Sequence, residues 1–148
     1  MIEHVRPADI EARSFEIIKA ELDAMGISLD PEKDPVIRRA IHTSADFDYA
    51  ETLCFSPDAV RIARDLIRSG ADIVTDTNMA LTGINKKKLA SYGGSARCYM
   101  ADEDVAAEAR ERGITRASVS MEHAARDAKA SGRRTVFAIG NAPTALMT

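Results

Sequence analysis

His42 is the side chain that first suggests chemistry. It stands in RRAIHTSADFDY, residues 38–49, between an apolar helical run and a polar, acidic segment. Imidazole titrates near neutral pH, so it suits giving and taking protons in water. Ile37 and Ile41 precede it at helical spacing, which puts His42 at a helix C-terminus, where the carbonyl ends favour the imidazolium. Asp46, a few residues on, acts in the same direction; burial acts against both. By spacing alone, a histidine at a helix end is more often a satisfied C-cap than a catalyst, and both readings stay open. The other two histidines offer less. His4 falls in a start that reads as disordered, and His123 has Asp127 one helical turn later, as an exposed pair.

A second kind of chemistry is suggested by three loops. TNMALTGIN (77–85) follows the strand-like DIVTD, and NAPT (141–144) follows TVFAIG; each joins small polar residues to a glycine. ITRAS (114–118) places Arg116 in a first helical turn, where its guanidinium joins backbone N–H donors in clasping a carboxylate or phosphate. Taken singly, glycine and asparagine after a strand are more often turn chemistry, and an arginine there is more often solvated. Neither GxGxxG nor GxxxxGK[ST] occurs, so neither nucleotide fingerprint is present.

These residues need elements to hold them. Ile10, Ser14, Ile18, Leu22 and Met25 follow helical spacing, with Ser14 the odd polar member. Asp34 and Pro35 then read as the cap and first residue of a helix ending near His42. TLCF (52–55), DIVTD (72–76), ARCYM (96–100) and TVFAIG (135–140) read as strands. Between them lie helices closed by Gly70, by Gly93–Gly94, by Gly113 and by Gly132, with Asp102 and Thr115 as N-caps. NAPTALMT reads as a helix just begun. Strands alternating with helices predict an open, mostly parallel, doubly wound (Rossmann-like) α/β sheet of about four strands. Helices lie on both faces, and the N-terminal helices pack on the sheet or on a second subunit.

With 148 residues the chain has the length of one domain with its own core. Twenty Lys and Arg stand against 23 Asp and Glu, with no block of one sign beyond Lys86–Lys88, so there is no nucleic-acid footprint. No apolar run reaches membrane-spanning length, and no signal-peptide pattern opens the chain; the reading is cytoplasmic. Cys54 and Cys98 lack metal-ligand spacing and read as buried free thiols.

Longer motifs carry a resemblance. RSFEII, IRRAIHTSADFDY, FSPDAV, GADIVTDTNMALTGINKKKL, GITRAS and AIGNAPTAL, in this order and nearly end to end, resemble precorrin-8X methylmutase, also called cobalt-precorrin-8 methylmutase. The resemblance implies an isomerase that moves a methyl group from C-11 to C-12 of a corrin-like macrocycle in cobalamin biosynthesis. The product is hydrogenobyrinic acid, or the cobalt form, and no separate cofactor is implied. It implies that His42 is the general acid. Arg13 and Ser14 of RSF, Thr43 beside the histidine and Arg116 of TRAS fall on substrate contacts. So do Asp76, Asn78 and Met79 of TDTNM, and Asn141 and Thr144 of GNAPT. It also implies a homodimer with the pocket near the subunit interface. Family members continue past GNAPTAL into another βα unit, so the expectation here is a single domain lacking that unit. Two alternatives remain: a truncated, non-catalytic tetrapyrrole-binding relative, and a generic α/β domain whose loops take a small anion.

Overall fold

Apolar pairs at Ile18 and Leu22, and at Ile37 and Ile41, give two helices one buried side each, and their pairing organises the first of two compact units, which ends at Arg61. The structure, a computed structural model, describes residue 6 and residues 9–148; His4 lies outside the described residues. In this first unit α1 (Ile10–Ala24) packs on α2 (Asp34–Ser44), and Phe47, Leu53 and Phe55 close over the four buried residues. Ile10 and Met25, expected on the same stripe, are 54% and 56% exposed. Asp34 itself is the first residue of α2, one place later in the helix than the cap position expected of it.

TLCF is not a strand. Tyr49–Thr52 form a helical turn, α3, and Leu53 and Phe55 continue as a connector that buries alternate side chains against the helices. An alternating pattern is shared by strands and by such extended covers, and only a neighbouring strand would have distinguished them. Helix α4 (Ala59–Arg68) spans the junction to the second unit, residues 62–148.

The second unit holds a three-stranded parallel sheet rather than one of about four strands. Strands β1 (Asp72–Thr75), β2 (Ala96–Arg97) and β3 (Thr135–Ala138) lie in the order β2-β1-β3. Ile73 pairs with Ala96 on one side and Val136 on the other. Helices α5 (Asn78–Gly83) and α6 (Lys86–Ser91) connect β1 to β2; α7 (Glu103–Arg112) and α8 (Arg116–Ser131) return to β3. Because the β1–β2 and β2–β3 crossovers run in opposite directions across the sheet, right-handed connections put them on opposite faces. One core gathers Val74 and Tyr99 of the sheet side with Val105, Ala109, Ala117, Val119, Met121 and Ala124 of α7 and α8. Ala117, Met121, Ala124 and Ala128 are spaced as a narrow helical stripe that suits close packing on a sheet; the first three are buried and Ala128 is half-buried. Asp102 precedes α7 without capping it, because its carboxylate is drawn to Arg97 Nη2 at 3.0 Å. Cys98 is buried, whereas Cys54, expected to be buried, is exposed on the connector after α3.

At the amino ends of the strands Arg133 gathers three chain segments. Its guanidinium donates to both oxygens of Asp72, at 2.5 and 2.9 Å, and to the carbonyls of Gly70 and Gly93. A side chain at Gly70 would strike the Tyr92 carbonyl at 2.7 Å, so glycine permits this close approach. The Arg133 hydrogen bond, with help from Ser95, holds Asp72 at a pKa of about 2 against 3.8. A carboxyl lowered on folding stabilises the fold above its unfolded pKa, and that stability is lost as pH falls through the folded one. The shift corresponds to about 2 kcal/mol at pH 7. Denaturant unfolding should therefore show a drop of that size between pH 5 and pH 2 that is absent in Asp72→Asn.

Candidate active site

His42 closes the last turn of α2, beside an apolar hollow. The turn ends at Ala45, which takes a left-handed conformation (φ 58°) and donates its N–H to the Ile41 carbonyl at 2.7 Å. Ile41 is 1% exposed, so the residue before the histidine is anchored in the core. Ser14 Oγ lies 2.8 Å from His42 Nδ1, across the α1–α2 pair. Phe15 stacks on the imidazole with ring centroids 5.3 Å apart and a 29° interplanar angle. Arg39 lies over the Phe15 ring at 4.8 Å and pairs with Glu11. Arg39 holds Glu11 below the usual carboxylate range, with a smaller contribution from His42.

The hollow is about 580 Å³, within the range of small-molecule sites, and its walls are mostly apolar: Ile10, Ile17, Ile18, Ile41 and Phe47, with Arg13, Ser14, Glu21 and His42 as the polar groups. Arg13 reaches Glu16 at 3.0 Å on the exposed side. Thr43 is exposed, and its hydroxyl donates back to the Arg39 carbonyl. A serine hydroxyl against Nδ1 serves the ring in either protonation state, since it accepts from Nδ1–H or donates to the bare nitrogen. Nε2 has no protein hydrogen-bond partner among the described residues, so it is the nitrogen open to a substrate.

The second unit brings its own loops together at the carboxyl ends of its strands, the usual ligand side of an open parallel sheet. The strand order reverses at β1, so the crevice falls between β1 and β3. Thr77 caps α5 by accepting from the Ala80 N–H at 3.2 Å, leaving Asn78 and Met79 exposed at the helix start. Beside it runs the 140–142 loop, and then the short helix α9 (Pro143–Leu146). Thr144 of α9 and Thr115, the cap of α8, join hydroxyls at 2.8 Å; Ser118 Oγ donates to the Thr144 carbonyl at 3.3 Å. Arg116 therefore starts α8 next to this pinned loop, exposed as Asn141 is. Asp76 differs from the rest: it is fully buried, with Oδ2 accepting the backbone N–H groups of Gly140, Asn141 and Ala142. The carboxyl ends of the strands thus gather Asn78, Arg116, Asn141 and Thr144, and Asp76 lies beneath the 140–142 loop.

A second hollow of about 500 Å³ lies against α8 and the sheet, but its charges are satisfied within the fold. Arg97 pairs with Asp102 and Asp127, and Arg133 with Asp72. Asp127 also accepts from the Tyr99 hydroxyl, which burial and this bond push up to about 12. Asp127 is thus not the partner expected for His123. That ring is largely buried and pairs across to Glu108 of α7 at 2.8 Å. Among the described residues no cluster of three or more His, Cys, Asp or Glu is placed to hold a metal ion.

The precorrin-8X methylmutase family model matches residues 9–148. The chain belongs to that family. Among its relatives, the cobalt-precorrin-8 methylmutase of Priestia megaterium is 41% identical over 143 residues, covering 97% of this chain and 61% of the relative. The Salmonella typhimurium cobalt-precorrin-8 methylmutase is 42% identical over 95% of this chain and 67% of its own length. The crystal structure of precorrin-8X methylmutase from Thermus thermophilus superposes with a TM-score of 0.78 at 33% identity, over 95% of this chain and 65% of that one. The chain thus spans about three-fifths of the Priestia methylmutase. Within this methylmutase fold, two features escaped sequence reasoning: the Phe15 stack and the Asp76 clamp. The first had a signal, an aromatic residue beside Ser14 and one helical position off the buried stripe; the second had none, since its partners are backbone amides 64 or more residues away.

Proposed function

We propose that this chain carries out the methylmutase reaction of its family, moving the C-11 methyl of precorrin-8X or its cobalt form to C-12, with His42 as general acid. The observation that carries the reading is the Ser14–His42–Phe15 arrangement beside an apolar hollow. An imidazolium there donates from Nε2 to the ring-C region of the macrocycle. The conjugated system becomes electron-poor next to the migrating carbon, the methyl shifts, and the proton returns to Nε2, so acid and substrate proton counts balance. Ser14 accepts from Nδ1–H throughout and keeps the ring aimed; Phe15 fixes its plane. The apolar walls suit a flat macrocycle, and its peripheral carboxylates call for scattered donors.

Arg13, Thr43, Arg116, Asn78, Asn141 and Thr144 fill that role in this reading, with Met79 offering apolar contact, and Asp76 supports the loop from below. The active form is a single-domain homodimer in the cytoplasm. No helix among the described residues is long and apolar enough to cross a membrane.

The test is isomerisation followed through the visible spectrum as precorrin-8X becomes hydrogenobyrinic acid. Ser14→Ala should lower kcat about ten- to a hundredfold, the worth of one hydrogen bond to a charged group, with KM little changed. A kcat equal to that of the unsubstituted chain would remove Ser14 from the mechanism.

A further inference from the structure

We infer that Asp76 is a positioning residue, whose carboxylate holds the Gly140–Ala142 backbone in the shape that presents Asn141 and Thr144 to the substrate. The inference rests on the functional reading above. Asp76 follows β1 directly and is 0% exposed. Its own N–H reaches the Ala138 carbonyl at 3.3 Å, continuing the β1–β3 ladder by one step. Its Oδ2 then accepts three consecutive amides, from Gly140 at 3.1 Å, Asn141 at 2.8 Å and Ala142 at 2.9 Å. One carboxylate oxygen thus sets the direction of three peptide units where the chain leaves the sheet.

The arrangement is a poor way to stabilise a fold. Burial of the charge opposes ionisation, and only the combined amide donors outweigh it and keep the carboxyl below its usual range. Its second oxygen, Oδ1, finds no donor among the described residues. A buried charge that is only partly satisfied gives a sheet little that a neutral residue would not. What it does give is a loop whose backbone is fixed from beneath at 140–142 and from the side at Thr144, by Thr115 and Ser118. Asn141 lies within the first anchor and Thr144 is the second, and Arg116 follows Thr115 directly. The loop is therefore preorganised, and ordering it is not charged against binding.

Asp76→Asn preserves volume and removes the negative charge: its carbonyl can still face the three amides with the NH2 group in the place of Oδ1, so the variant trades three charge-assisted hydrogen bonds for weaker neutral ones. In this variant, amide hydrogen exchange at residues 140–142 should quicken at least tenfold, while Ile73 and Val136 in the strands stay within about twofold. Affinity for hydrogenobyrinic acid should weaken about tenfold or more, and the pH profile of turnover should not move. Unchanged exchange at 140–142 overturns the inference, as does unchanged affinity. Loss of protection at Ile73 and Val136 overturns it too, since the carboxylate would then serve the sheet and not the loop. If the unsubstituted chain binds no corrinoid at all, the functional reading has failed and this inference falls with it; binding by the unsubstituted chain that the variant matches sinks this inference alone.

Discussion

His42→Ala is expected to lower isomerisation by at least about a hundredfold while leaving affinity for hydrogenobyrinic acid within about tenfold. The asymmetry follows from the geometry. His42 meets its own unit through Nδ1 and one ring face, by Ser14 and Phe15, so its loss opens a small space but leaves the apolar walls of the hollow in place. A general acid matters in the transition state, where a proton is in transit, and contributes little to holding a product that needs none. His42→Ala that turns over normally removes the histidine from the chemistry and leaves it a packing partner of Ser14 and Phe15. Loss of turnover together with loss of all binding would make it a structural or substrate-holding residue instead. An unsubstituted chain that binds product but isomerises nothing would match the alternative of a non-catalytic tetrapyrrole-binding relative.

The second large effect is on stability. Ile41→Ala should cost about 3 kcal/mol, the middle of the range for emptying a buried isoleucine site. Ile41 is 1% exposed among Ile18, Leu22 and Ile37, in a unit whose described core is this one cluster. Because Ile41 immediately precedes His42 and its carbonyl closes the αL turn at Ala45, the same substitution loosens the histidine's seat. Chemical denaturation followed by hydrogen exchange should show protection falling in α1 and α2 and persisting in β1 and β3. A cost under about 1 kcal/mol would mean that α1 and α2 are held by something other than this cluster.

Much of this was legible in the sequence, for reasons that differ by element. Helices with a clear stripe and a glycine stop, such as α7 before Gly113 and α8 before Gly132, are local objects: spacing and caps define them before any packing. The parallel sheet followed from alternation, and its three strands lie where DIVTD, ARCYM and TVFAIG do, each shorter than its apolar run. TLCF shows the limit. Leu53 and Phe55 alternate as in a strand, yet they cover helices, and nothing local separates the two uses. α5 was read as loop because TNMALTGIN is rich in turn formers, but Thr77 turns its hydroxyl into a cap and starts a helix.

The site divides the same way. His42 and Ser14 were visible as residues out of keeping with their surroundings. That the two touch, 28 positions apart, depends on how α1 and α2 pack. The resemblance sets Asp76 among the substrate contacts, because sequence shows a charge but not the three amides that bury it. Asp127 was assigned to His123 by helical spacing, whereas Tyr99 and Arg97 claim it from the sheet side. Long-range partners, not residue types, are what sequence leaves out.

The measurement that bears most directly on the central claim is a visible-spectrum titration of the purified 148-residue chain with hydrogenobyrinic acid. The account predicts a saturable shift of the macrocycle's absorption near one ligand per chain, retained within about tenfold in His42→Ala. No shift from a chain shown to be folded by its circular dichroism would contradict it, and would leave the family fold without the family's binding site.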